Sequence, residues 1–350
     1  MLPCGTYPTN YEEDMAIVRT RLQWGLLGAG LVFLFCLPLF AGLHWLGFVN
    51  MTMIYIVAVL GLNILTGYCG QVSVGQAAFM GVGAYTSAIL VAKLHLSFLI
   101  ALPCAGIMTG LVGLIVGIPS LRVKGFYLLL ATLAAQFIIM WVAIRLPHLT
   151  GGYAGLVVSR PKILGFSFET EQSYFYIIAI VMIIMTFFAK NIVRTRAGRA
   201  FVAIRDNDLA AQIMGIDLFR YKLVAFFIGC FFAGIAGSLF AHYMRFVNPE
   251  QFPLMTSVWF LGMIIVGGMG STVGAFLGTI FIRLLEFFTM QIGPSLNAFL
   301  PASTSMQIQG AAMLIVFGLV IVLFLIFEPR GLAHRWEVLK STYRLYPFSY

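Results

Sequence analysis

The stretch MTMIYIVAVLGLNILTGYCGQVSVGQAAFMGVGAYTSAILVA (51–92) contains no Asp, Glu, Lys or Arg. Its apolar residues run continuously rather than alternating, and glycine interrupts them repeatedly. The charge-free interval extends outward from Arg21 to Lys93, and others follow: Lys93 to Arg122, Lys124 to Arg145, Glu171 to Lys190, Lys222 to Arg245, Glu250 to Arg283, and Glu286 to Glu328. A bilayer-spanning helix needs about 20 apolar residues, so each interval holds one span or most of one, and the longest holds several. Within lipid every backbone polar group must be paired internally, which leaves helices or a closed barrel. Continuous apolar runs select helices. The composition agrees: 61% of the 350 residues are hydrophobic and 9% charged, against about 25% charged in soluble domains. The expected fold class is an all-α polytopic membrane protein with about ten transmembrane helices. The predicted spans are 24–48, 50–66, 72–92, 97–118, 126–146, 173–190, 222–242, 255–270, 273–290 and 308–327.

The net charge of +9 does not indicate a nucleic-acid partner, because the basic residues sit in short loops between apolar runs. Cys4, Cys36, Cys69, Cys104 and Cys230 are scattered without metal-ligand spacing, so no disulfide framework or metal site is expected. Residues 1–23 include Glu12, Glu13 and Asp14 and lack an apolar core, which predicts a polar cytoplasmic leader rather than a cleaved signal peptide. The transmembrane domain then runs over 24–327 and a cytoplasmic tail over 328–350. With the N-terminus inside, only Lys93, Arg145, Arg160, Lys162 and Arg245 of the 21 Lys and Arg fall in outside loops, and Arg283 falls within a span. Basic residues collect on the cytoplasmic side, so both termini are expected there, in an inner membrane.

Two connections are long. One, 147–172, lies outside and begins Gly-rich. The other reads RTRAGRAFVAIRDNDLAAQIMGIDLFRYKL (194–223) and lies inside. Phe201, Ile204, Leu209, Ile213 and Met214 recur at near-helical steps, and Gly215 suits a left-handed helix end. The pattern predicts one amphipathic helix over about 198–216, with Gly198 and Gly215 at its ends. By pattern alone it could equally be a basic helix resting on anionic lipid.

The same segment resembles the cytoplasmic loop of ABC importer permeases, whose signature is Glu-Ala-Ala, three residues, then Gly. Here Leu209-Ala210-Ala211 precedes Gly215 by that spacing. Leu209 stands at the Glu position, and Asp208 lies one residue earlier. GRAFVAIRDNDLAAQIMGIDLFRYKLVAF (198–226), LNILTGYCGQVSVGQAAFMGVGAY (62–85), LRVKGFYLLLATLA (121–134) and VGGMGSTVGAFLGT (266–279) together resemble the branched-chain amino acid permease family, in its longer subunit type. The resemblance covers most of 50–330. It implies a type II ABC importer-like permease working with a second permease subunit, two cytoplasmic ATPase subunits and a periplasmic amino-acid-binding protein. The inside helix would then couple the ATPase to transport. Ala203, Ala210 and Ala211 would sit close to that partner, and Arg199, Arg205 and Asp208 would form polar contacts at the rim. The chain has no phosphate-binding loop of the Gly-x-x-x-x-Gly-Lys-Ser/Thr form, and no nucleophile–base constellation. Neither catalysis nor a cofactor is expected.

Within the spans, Asn63, Thr66, Gly70, Gln71, Ser73, Gly75 and Gln76 form the main uncharged polar and glycine cluster. Polar groups at this depth need partners or water. Small residues permit close helix approach or a broken helix beside a cavity. Helix packing and direct lining of a pathway both remain open. Spans two to five and seven to ten would form an inverted repeat. Arg283 and Glu286, three residues apart on one helix, can pair. Three competing functions follow: an ion-driven secondary transporter, a related ABC permease for urea, short amides or sugars, and a scaffolding protein.

Overall fold

The computed structural model describes residues 21–121, 125–163, 166–168, 170–296 and 302–345. The predicted leader up to residue 20, the end of the tail at 346–350, and the basic pair Arg122 and Lys124 lie outside these. The chain is helical almost throughout, as its charge-free runs require. In order the α-helices of more than one turn are α1 (Arg21–Phe40), α2 (Leu43–Leu62), α3 (Gln76–Ala92), α4 (Phe98–Ser120), α5 (Phe126–Arg145), α6 (Glu171–Arg194), α7 (Arg196–Asp206), α8 (Asp208–Ile213), α9 (Leu218–Met244), α10 (Leu254–Gly267), α11 (Thr272–Leu296), α12 (Ala302–Phe327) and α13 (Gly331–Leu345). Among the described residues seven segments are long and apolar enough to cross a bilayer. They become eight if α12 and α13, bent by 46°, count as one. The sequence predicted about ten, but Trp24–Phe40 of α1 and Gln76–Ala92, α3, are shorter apolar stretches that do not reach spanning length by themselves. The first two boundaries also move: the chain breaks at Gly42, whose backbone is extended, rather than near residue 49.

Helices α2 and α9 form the buried centre, and α9 packs on α2, α3 and α4. Small residues make this possible. A Cβ at Gly83 of α3 would lie 2.4 Å from Gly234 Cα of α9, and one at Gly237 would lie 1.9 Å from Met80 O. A Cβ at Gly61 of α2 would meet Gly229 O at 2.7 Å. Hydrocarbon tails supply no hydrophobic drive for helix pairing, so close backbone contact does the holding.

Two breaks interrupt the bundle. Helix α2 runs into a π-helical turn, Asn63–Tyr68, and the chain then reverses at Gly70, where φ is +72°. An extended segment returns to Gln76, whose side chain reaches Ala58 O and Gly229 O midway along α2 and α9. The second break lies between α10 and α11, where Gly268 and Gly270 take positive φ. The two glycine strings picked out in the sequence fall at these breaks, one in each half, and the breaks touch: a Cβ at Gly67 would lie 2.4 Å from Gly270 N.

The opposite end is closed by strand β1 (Leu156–Val157), a small hairpin of β2 (Lys162–Ile163) and β3 (Phe166–Ser167), and β4 (Phe246–Val247), which pairs antiparallel with β1. His242 anchors this cap. Its Nδ1–H donates to Ser159 O at 2.9 Å, and its Nε2 accepts from Ser87, which accepts from Ser238. His242 is therefore a buried part of the polar interior.

Candidate functional site

The break after α2 gathers the predicted polar cluster, and nearly all of it is turned inward. Asn63 joins the two breaks: Nδ2 donates to Ser271 O at 3.0 Å and Oδ1 accepts from Gly270 N at 2.9 Å. Thr66 Oγ1 donates to Gln71 O at 2.9 Å, closing the reversal. Ser73 Oγ accepts from Gly75 N. The Gln76 amide donates to Ala58 O at 2.9 Å, tying α3 to α2 and α9, while its Oε1 is buried without a hydrogen-bond partner among the described residues. A Cβ at Gly75 would stand 3.1 Å from Thr132 O, a milder squeeze than at the α3–α9 crossing. Asn63, Ser73 and Gln76 are thus each hydrogen-bonded within the chain.

Gly70 and Gln71 differ. They line an open cavity of about 380 Å³ with Cys69, Leu121, Gly125, Leu128, Arg205 and Lys222. Gln71 Oε1 is also buried without a hydrogen-bond partner among the described residues.

Three residues that sequence reasoning missed complete the break. Helix α3 starts inside the bundle, so its first N–H groups need partners other than water. Thr132 Oγ1 accepts from Val74 N at 3.1 Å, Ser257 Oγ from Ala77 N at 2.9 Å, and Gln136 Oε1 from Ala78 N at 2.9 Å. The Gln136 amide then donates to Phe252 O at 2.9 Å. The available signal was Thr132 and Gln136, one helical turn apart and fully apolar in company, because a polar side chain at that depth requires a partner.

The segment expected as one helix over 198–216 is two. Asn207 is extended, with φ −158° and ψ 107°, and its side chain caps α8 by accepting from Ala210 N. An Asn-Asp pair favours an N-cap followed by an acidic first turn over helix interior. Gly198 is the third residue of α7 rather than its start, where an added Cβ would lie 2.1 Å from Val193 O, and Gly215 follows the α8 end at φ +83°, as predicted. The faces are redistributed by the kink. Ala211, placed by the sequence reading against an external partner, is 2% exposed and packs within this chain. Ala203 is half-buried, whereas Ala210 and Arg199 are exposed and Asp208 is half-buried at the α8 start. The outward apolar surface is Leu209, Ile213 and Met214, with Ile213 87% exposed. Arg205, its side chain 38% exposed, also turns inward: its Nη1 donates to Gly67 O at 3.1 Å, in the α2 break.

At the other end, Arg283 and Glu286 form the predicted ion pair, nearly buried. The guanidinium lies 5.0 Å from the Tyr55 ring centre and 5.8 Å from that of Phe48. Pairing and cation–π contact both lower the cost of holding these charges in the membrane. They border a second cavity of about 390 Å³ with Glu171, Tyr243, Met51 and Phe287. Among the described residues no group of His, Cys, Asp and Glu is arranged to hold a metal.

Residues 45–317 match the family described as branched-chain amino acid transport system, permease component. The chain is 32% identical over 307 residues to the high-affinity branched-chain amino acid transport system permease protein LivM of Escherichia coli K12, covering 81% of this chain and 68% of that protein. It is 26% identical over 320 residues to a probable branched-chain amino acid permease protein of Methanocaldococcus jannaschii, covering 80% and 90%. It is 27% identical over 269 residues to the autoinducer 2 import system permease protein LsrC of Escherichia coli DH10B, covering 73% and 76%. No solved structure matches.

Proposed function

This chain belongs to the branched-chain amino acid transport system permease family, and from that premise we propose that it is the membrane-spanning permease subunit of an ABC importer. It moves branched-chain or other hydrophobic amino acids across the inner membrane, driven by ATP hydrolysis in a partner subunit. The observation that carries this reading is the family match, which runs from α2 into α12 and so takes in both glycine breaks and the helix pair α7–α8. Its partners are a second permease subunit, two ATPase subunits and a periplasmic binding protein. The termini and α7–α8 face the cytoplasm, and the β-capped end faces the periplasm.

The geometry supports the division of labour. Coupling to a separate ATPase needs an element that contacts the partner differently in its two nucleotide states. Leu209, Ile213 and Met214 present an exposed apolar surface, and a contiguous apolar patch of this kind marks a contact site. An ion-driven carrier would use a titratable group within its spans; Arg283 and Glu286 neutralise each other instead.

Likeness to an autoinducer 2 import permease favours one second reading, a substrate that is not an amino acid, such as autoinducer 2. Uptake by cells carrying the complete transporter separates the two. Labelled leucine uptake should be suppressed by excess isoleucine and valine. Suppression by ribose or by autoinducer 2, but not by valine, would replace the amino-acid assignment.

A further inference from the structure

The contact of Arg205 with the α2 break is not explained by docking to a partner. Arg205 is in the last turn of α7, and its stem lies over Gly70, where an added Cβ would meet Arg205 Cγ at 3.1 Å. Its Nη1 donates to Gly67 O and sits where a Gly270 Cβ would come within 2.9 Å. Its Nε and Nη2 both donate to Asp206 Oδ1, at 3.0 and 2.9 Å, which fixes the plane of the guanidinium. One side chain therefore touches both glycine breaks, and Asn63 ties those breaks to each other. The cavity it borders is the one lined by Gly70, Gln71 and Cys69. Glycine at all three contact points leaves the backbone free to change conformation while still offering carbonyl groups to a donor.

We propose that Arg205 is the positioning residue through which the helix pair α7–α8 sets the two glycine breaks, so that movement of the pair opens or closes the inner cavity. This rests on the coupling role proposed above. A shift of α7 relative to α2 cannot leave the bond to Gly67 O intact unless the break follows. A charge-assisted hydrogen bond is strong enough to make it follow. The Asp206 pairing keeps the guanidinium from rotating away to solvent.

The test uses the complete transporter in proteoliposomes with its binding protein. Arg205→Ala and Arg205→Lys are compared with Arg220→Ala, an exposed residue paired with Asp217 away from the breaks. In a chain keeping only Cys69 of its five cysteines, labelling of Cys69 by a small maleimide should change between the nucleotide-free and ATP-bound states. In Arg205→Ala that change should vanish, and uptake per ATP hydrolysed should fall about tenfold, the scale of one lost hydrogen bond to a charged group. The ATPase subunits should still co-purify. Arg205→Lys, which keeps the charge but not the two-sided donor fork, should fall between. Retained ATP-dependent labelling with unchanged uptake per ATP overturns the proposal, as does a parent chain whose Cys69 labelling ignores ATP. Loss of the ATPase subunits from Arg205→Ala overturns it too, because Arg205 would then be a docking residue. Failure of both variants to accumulate in the membrane would make it a folding determinant and overturn it equally. Failure of the underlying coupling role shows separately, as Ile213→Asp retaining both ATPase association and uptake.

Discussion

Replacing Gly83 by alanine puts one methyl group into the tightest type of contact in this bundle. The added Cβ would lie 2.4 Å from both Gly234 Cα and Gly234 O. Carbon atoms settle at about 3.5–4.0 Å, so α3 and α9 must separate locally by about 1 Å. The obstacle is backbone, not the tip of a flexible side chain, and α9 cannot retreat because α2 and α4 pack on it. Overpacking of this kind costs about 1–3 kcal/mol, and the rigid neighbour argues for the upper half of that range. Gly318 supplies a control of opposite sign. It lies in α12 with nothing within 4 Å of an added Cβ, so alanine there should stabilise by about 0.5–1 kcal/mol through helix propensity. The assay is the fraction of monodisperse chain surviving a heating series in mild detergent, read by fluorescence-detected size exclusion. Gly83→Ala should lower the midpoint and Gly318→Ala should hold or raise it. Equal midpoints for parent and Gly83→Ala, or equal damage by both substitutions, would refute glycine-mediated contact as what holds the core.

Asn63→Ala removes both side-chain bonds between the breaks and leaves Gly270 N–H unpaired, costing about 1–3 kcal/mol; uptake should fall while membrane insertion persists, and full uptake would remove Asn63 from the site. Ile213→Asp places a charge in the exposed apolar surface of α8 and should strip the ATPase subunits from the purified complex, whereas undiminished co-purification would mean that the surface docks nothing. Tyr153→Cys, exposed beside the β-capped end, should react with an impermeant maleimide added outside intact cells; labelling only after permeabilisation would invert the topology.

The helical class was legible because the solvent imposes it: charge-free runs such as 51–92 can be neither surface strands nor soluble loops. The glycine strings at 67–83 and 267–278 marked the breaks together with the close helix crossings beside them, the two uses glycine clusters have in a span. Where α3 begins was not legible. Its start is set by Thr132, Gln136 and Ser257, which are distant in sequence and known as caps only once the helices meet. The single amphipathic helix over 198–216 failed for a local reason that was visible: Asn207-Asp208 is a helix start, and a start inside a helix divides it. Assigning Ala211 to the outer face followed from that error, because a kink rotates the second face relative to the first. Nothing in the sequence distinguishes Arg205 from Arg199. Its role comes from Gly67, which is remote along the chain and contributes only a backbone carbonyl.

The most direct measurement is ATP-driven leucine accumulation in proteoliposomes assembled with and without this chain, its partner subunits and binding protein held constant. Accumulation should require this chain and ATP together and should persist when proton and sodium gradients are collapsed. Accumulation that survives omission of the chain, or that follows an ion gradient in the absence of ATP, would contradict its assignment as the permease subunit of an ABC importer.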